Sequence, residues 1–234
     1  MQLAEILQPV DREEISKALE PFLMYLGSGD QPLKPKHIAK KLEQTLKQFG
    51  VEEVKVVTSK EVDSGDMNMN AAYDPYDDED GFDPFSIDLI FSAKDNDLEF
   101  TKDGIANIRD RILDALEHEM IHMRQYRSRS FVRQRDYKTK DKEPDVKRAK
   151  EYLGNDDEIE AFAKNISAEL LRKRDKETAI DLLRKVTQTA GLKDELGYLL
   201  SPNLLGYLAV WGFDTKHPVI KKLLKKVYNN IENS

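Results

Sequence analysis

Residues 113–128 read LDALEHEMIHMRQYRS, and the five residues His118-Glu119-Met120-Ile121-His122 inside them decide how the rest of the chain is read. On an α-helix, residues four apart lie on one face, one turn apart. His118 and His122 can therefore present their imidazole nitrogens to one metal ion. Glu119 sits about 100° further round, near enough to hold a water on that ion and too far round to compete as a ligand. The neighbouring residues agree with a helix. With His118 at 0°, His122 falls near 40°, and Ile108, Ile112, Leu116, Met120 and Met123 spread from about 80° to 200°. Asp110, Asp114, Glu117 and Arg124 gather between about 240° and 320°. The imidazole pair borders the apolar face and points away from the most charged one, which is where a metal cleft belongs. The small Ala115, one turn before Glu119, leaves room above it.

A catalytic zinc takes three protein ligands and keeps one position open. The chain has no cysteine and four histidines, of which His37 and His217 are isolated. Thiolate sites and disulfides are thus excluded, and a carboxylate becomes the natural third ligand. Asp156-Asp157-Glu158-Ile159-Glu160-Ala161 opens a predicted helix and places Glu158 36 residues beyond His122. Glu158, three residues before the small Ala161, is the preferred ligand, and Glu160 is the alternative. Acidic residues at that place also complement the positive end of a helix dipole, with no metal involved.

Outward from this centre, a helix is expected from about Gly104 to Ser128, capped by Thr101 or Asp103. Ser86–Phe91 before it and Val54–Val57 read as strands. The first 50 residues carry two amphipathic helices. In one, Ile15, Leu19, Phe22 and Leu23 share a face ahead of Gly27-Ser28-Gly29; in the other, which starts at Pro35, Ile38, Leu42, Leu46 and Phe49 do. Residues from Ser64 to Pro84 look like one long loop. A basic linker runs to about Lys147, and helices are expected over about 157–172, 176–189 and 218–231. The Gly/Pro-punctuated aromatic segment 196–213, with Trp211, reads as core or an oligomer contact rather than a substrate pocket. The order is helices, a few strands, then helices. That suggests an α+β, helix-dominated chain with three parts: 1–50 helical, 51–191 around the metal helix, and 192–234 helical, packed as one unit.

Composition bounds the function. The net charge of −7 argues against a nucleic-acid partner. It is unevenly spread: residues 61–88 hold ten acidic side chains and no Lys or Arg, whereas 124–150 hold eleven basic and four acidic ones. Two segments of opposite sign flank the metal helix, so they either remain solvated, contact each other, or meet a charged partner. No secretory signal and no apolar run of 18 residues is present, so a cytoplasmic protein without a membrane span is expected. The oligomeric state is not legible.

With His118-Glu119-Met120-Ile121-His122 and Glu158-Ile159-Glu160-Ala161 in view, the chain resembles gluzincin-type zincin metallopeptidases. Met123-Arg124-Gln125 and the segment from Tyr152-Leu153 to Ala163 are similar to small metallopeptidase-like proteins of tailed bacteriophages. A looser likeness extends to the ImmA/IrrE and SprT-like groups. The resemblance covers roughly residues 70–170. It implies a zincin-like domain, a Zn2+ cofactor held by His118, His122 and Glu158, Glu119 as general base, and a peptide or protein substrate. For a phage protein it implies the host cytoplasm or the virion. It also implies that the strand at 86–91 runs along the cleft edge and pairs with substrate. One departure stands out: where related families place an Asp to orient a histidine, this chain has Phe162, so another group must do so. Tyr126, Tyr152 and His217 are candidates for stabilising the oxyanion, and Gln125 for a hydrogen bond within the site or a cap. Two other readings remain compatible with these residues: a catalytically silent phage structural or assembly protein with a closed metal site, or a module that binds a host factor or nucleic acid.

Overall fold

The computed structural model of the chain describes residues 12–28, 32–95, 97–132, 145–188 and 201–234. The chain forms two compact units, Met1–Val132 and Arg133–Ser234.

The first unit begins with α1 (Arg12–Leu26) and α2 (Pro35–Leu46). Their apolar faces follow the 3.6-residue period: Ile15, Leu19 and Phe22 on α1, and Ile38, Leu42 and Leu46 on α2, are almost completely buried. Burying each such side chain contributes about 1.5–3 kcal/mol. A short 3-10 turn, Lys47–Phe49, ends at Gly50, whose φ of 81° turns the chain into β1 (Val51–Ser59). A side chain there would sit in the left-handed region and press on Pro84, so glycine has a steric reason to occupy it.

β2 (Met67–Tyr73), α3 (Pro75–Asp80) and β3 (Phe85–Ser92) follow, and then the long α4 (Lys102–Ser128). The sheet order is β1-β3-β2, with β1 parallel and β2 antiparallel to β3. Two expectations need correction here. Residues 64–84 are not one long loop, because they contain β2 and α3. Asp74 starts α3 as its N-cap, accepting from the Tyr76 and Asp77 amides, and Pro75 stands in the first turn. Gly81, with φ 83°, closes it. Nor does the strand at 86–91 run along an edge. β3 is central, its backbone is paired on both sides, and the edge strands are β1 and β2. In β3, Phe85, Ile87, Leu89 and Phe91 are buried, and they join the α1, α2 and α4 faces in one core.

The second unit contains α5 (Asp145–Leu153), α6 (Asp156–Lys173), α7 (Lys176–Gln188), α8 (Pro202–Val210) and α9 (Pro218–Glu232). Part of the expected basic linker is therefore helical, as α5. Residues 133–144 of that linker, and 189–200 with Tyr198, lie outside the described residues. The core gathers Ile159, Ala163, Ile166 and Leu170 from α6 with Leu204, Tyr207 and Leu208 from α8 and Ile220, Leu223 and Val227 from α9. Tyr207, Leu208 and Trp211 of the aromatic segment are buried, as a core reading requires. Among the described residues no helix is long and apolar enough to cross a membrane. The chain is thus helix-dominated with one small sheet, an α+β arrangement.

Candidate metal centre

α4 begins at Thr101, whose hydroxyl accepts from the Gly104 amide, and runs for 27 residues. One side of it carries Ile108, Ile112, Leu116 and Met120 into the core, and this fixes the rotation of the helix. That rotation leaves His118 and His122 buried at the border of the apolar face, 6% and 9% exposed. Their Nε2 atoms face each other at 3.1 Å, with the rings at 73°. Two imidazole nitrogens around a shared tetrahedral zinc, each bonded at 2.0–2.1 Å, stand about 3.3 Å apart. The observed separation is close to that spacing.

The orienting group for His122 is Gln125. Its Oε1 lies 2.9 Å from His122 Nδ1, where it can accept a proton; in that tautomer the Nε2 lone pair is directed toward His118. Phe162 packs edge-on against Tyr207, their ring centres 5.2 Å apart. Glu119 is half-buried on the same helix.

In the second unit, Asn155 caps α6 by accepting from the Asp157 amide, which puts Glu158 in the first helical turn. There the backbone dipole favours a carboxylate. Glu158 is buried, 5% exposed. Burial pushes the Tyr207 phenol well above its ordinary range, and the charge of Glu158 adds to the effect. The Tyr207 hydroxyl donates to the Leu153 carbonyl at 3.1 Å. Tyr207 was missed as a neighbour of Glu158, and 49 residues of separation offered no signal for it.

His118 and His122 in the first unit and Glu158 in the second are buried side chains that could serve as metal ligands. Comparison with protein-family models, with curated proteins and with solved structures finds no match. The chemistry of the chain's own side chains therefore carries the functional argument.

The other candidate residues are engaged as follows. Glu160 is exposed on α6 and pairs with Lys226 of α9 at 3.4 Å. His217 is the N-cap of α9, where its Nδ1 accepts from the Val219 amide, and its ring lies 5.5 Å from that of Trp211. Tyr152 lies on α5 and is 39% exposed. Tyr126 packs against Tyr73, with ring centres 5.8 Å apart, and the Arg129 guanidinium covers its ring at 4.9 Å.

Among the described residues, the acidic and basic segments are joined by Asp78 and Arg127. Arg127 near the end of α4 holds Asp78 of α3 through Nε at 2.9 Å and Nη2 at 2.5 Å. The Tyr73 hydroxyl donates to the same carboxylate at 2.7 Å. The Asp78 side chain is 3% exposed, so the pair is largely desolvated. The carboxylate raises the Arg127 pKa, and burial together with Asp78 holds the Tyr73 phenol protonated far above its usual range. At the other end of this stretch, Arg111 Nη1 donates to Met67 O and Asn68 Oδ1 of β2, each at 3.1 Å. Arg12 of α1 pairs with Asp114 and Glu117 on the charged face of α4.

Proposed function

We propose that the chain is a zinc-dependent metallopeptidase with a zincin-like centre: His118, His122 and Glu158 hold one zinc ion, and Glu119 is the general base. The observation that carries this reading is the pair of Nε2 atoms facing each other at 3.1 Å, with a glutamate between the two histidines in sequence. When bound, the zinc supplies Lewis acidity at the scissile carbonyl and lowers the pKa of water. Glu119 accepts the proton of the attacking water and returns it to the leaving amine. Gln125 holds His122 in the tautomer that ligation needs. Glu158, as a carboxylate, brings the ligand set to a net single positive charge with the ion.

Two facts favour an open centre over a closed structural one. Glu160 and His217, the candidates for a fourth ligand, are occupied within their own unit by Lys226 and by the first turn of α9. A purely structural ion also has no use for Glu119. An extended peptide would pair with an edge strand, and β2, which packs beside α4, takes that role from β3.

The deciding experiment combines zinc analysis with a cleavage assay on wild type and Glu119→Gln. The expected result is one zinc per chain in both, with peptide hydrolysis in the wild type reduced at least 100-fold in the variant. Stoichiometric zinc without hydrolysis in either would sink the peptidase reading and leave a structural metal. Absence of zinc from the wild type would sink both.

A further inference from the structure

The second unit contains an open cavity of about 330 Å3 between α7 and α9, with Thr215 and Lys216 also in its lining. Its volume lies at the lower end of the range of small-molecule sites. Leu183 and Leu224, both nearly buried, and the Tyr228 ring give it apolar walls. Its polar groups are of one sign: Arg184, Lys216, Lys221 and Lys225 line it, and no carboxylate does.

The distribution of charge along α9 makes this more than a lysine-rich surface. The helix carries four lysines in two adjacent pairs. Lys222 and Lys226 are neutralised by Asp156 and Glu160 of α6. Lys221 and Lys225, one turn apart, face the cavity, and among the described residues neither forms an ion pair. Lys216 is in the same position. Arg184 alone has a partner, the exposed Asp181 on its own helix. In a chain with seven excess negative charges, three unneutralised ammonium groups around an apolar hollow are a local reversal of sign.

From this complementarity we propose that the α7–α9 cavity binds a small anionic amphiphile, with an apolar body of six to ten carbons, by rough fit to the volume, and a carboxylate or phosphate head. The body lies between Leu183, Leu224 and Tyr228, while the head meets Lys221, Lys225 and Lys216. The site is separate from the proposed zinc ligands and does not depend on the peptidase reading.

The test is a titration of the full chain with octanoate, octyl phosphate and octylammonium, followed by calorimetry. Octanoate and octyl phosphate are expected to bind, and octylammonium at least tenfold more weakly. Comparing the two anions identifies the preferred head group. The double variant Lys221→Glu/Lys225→Glu is expected to lose octanoate affinity tenfold or more, and Lys221→Arg/Lys225→Arg to retain it. Lys221 and Lys225 are both solvent-exposed, and an unchanged melting temperature confirms that the fold survives. Equal binding of the anion and the ammonium, full affinity in the Glu variant, or no binding of either anion would overturn the proposal. Tighter binding of a hexaglutamate peptide than of either amphiphile would overturn it too, in favour of an acidic protein segment.

Discussion

Replacing Gln125 with Leu keeps the volume of the side chain and removes the acceptor of the His122 Nδ1 proton. That hydrogen bond is 2.9 Å long, of ordinary strength, and made within one turn of α4. Its net contribution to folding is on the order of 1 kcal/mol. Its larger effect falls on the metal. Without the carbonyl, His122 is free to populate the tautomer with its proton on Nε2, the atom that faces His118, and to rotate away from the shared position. Groups that orient a ligating histidine typically change metal affinity 10- to 100-fold, or about 1.4–2.7 kcal/mol. Zinc affinity measured by competition with a chromophoric chelator at fixed pH should fall by that factor in Gln125→Leu. Gln125→Glu, which keeps an acceptor in the same place, should match or exceed the wild type. The melting temperature without metal should move by only a few degrees in either. An unchanged affinity in Gln125→Leu, in a protein whose wild type binds zinc, would refute the orienting role.

Three further outcomes follow from the same contacts. Asp78→Ala leaves Arg127 and the Tyr73 hydroxyl without their acceptor, and should cost about 2–3 kcal/mol in urea unfolding, below the full cost of breaking a buried pair because Arg127 retains some solvent; a loss under 0.5 kcal/mol would contradict it. Tyr207→Phe removes the hydrogen bond to Leu153 and should cost about 1 kcal/mol at neutral pH. The Tyr207 pKa is raised in the folded state, so its contribution is full below the unfolded value of about 10 and is lost as pH climbs above it. The wild type should therefore lose stability between pH 10 and 11 more steeply than Tyr207→Phe, and parallel alkaline unfolding curves would show otherwise. Glu158→Ala should weaken zinc at least tenfold while Glu160→Ala leaves it within twofold; a reversal of that order would assign the third ligand to Glu160.

Much of the fold could be read locally. α4 announced itself through five apolar residues at helical spacing and the Thr101 cap. α2 did so through Pro35 and the face of Ile38, Leu42 and Leu46. The segment 64–84 was misread for a physical reason. Apart from Tyr73, β2 is built from Met, Asn and Ala, residues with modest strand preference, and it pairs with β3 and packs on α4. α3 lies within a dense acidic run that looks solvated, although Asp74-Pro75 and Gly81 carried start and stop signals. The imidazole spacing followed from helix geometry alone. The partners of Asp78 and of Tyr207 did not, because those contacts join residues 49 and 54 apart in sequence.

The two histidines sit on a span of α4 that is held at both ends by the segment first read as a loop. Arg111 fastens one end to the start of β2, and Arg127 fastens the other to α3. Contacts at both ends of this span oppose fraying and rotation near residues 118–122 and favour rings placed before an ion arrives. For the two histidines, part of the ordering entropy would then be spent during folding rather than at capture. Ion uptake in such a centre should be fast and should leave the spectroscopic signature of the helix untouched.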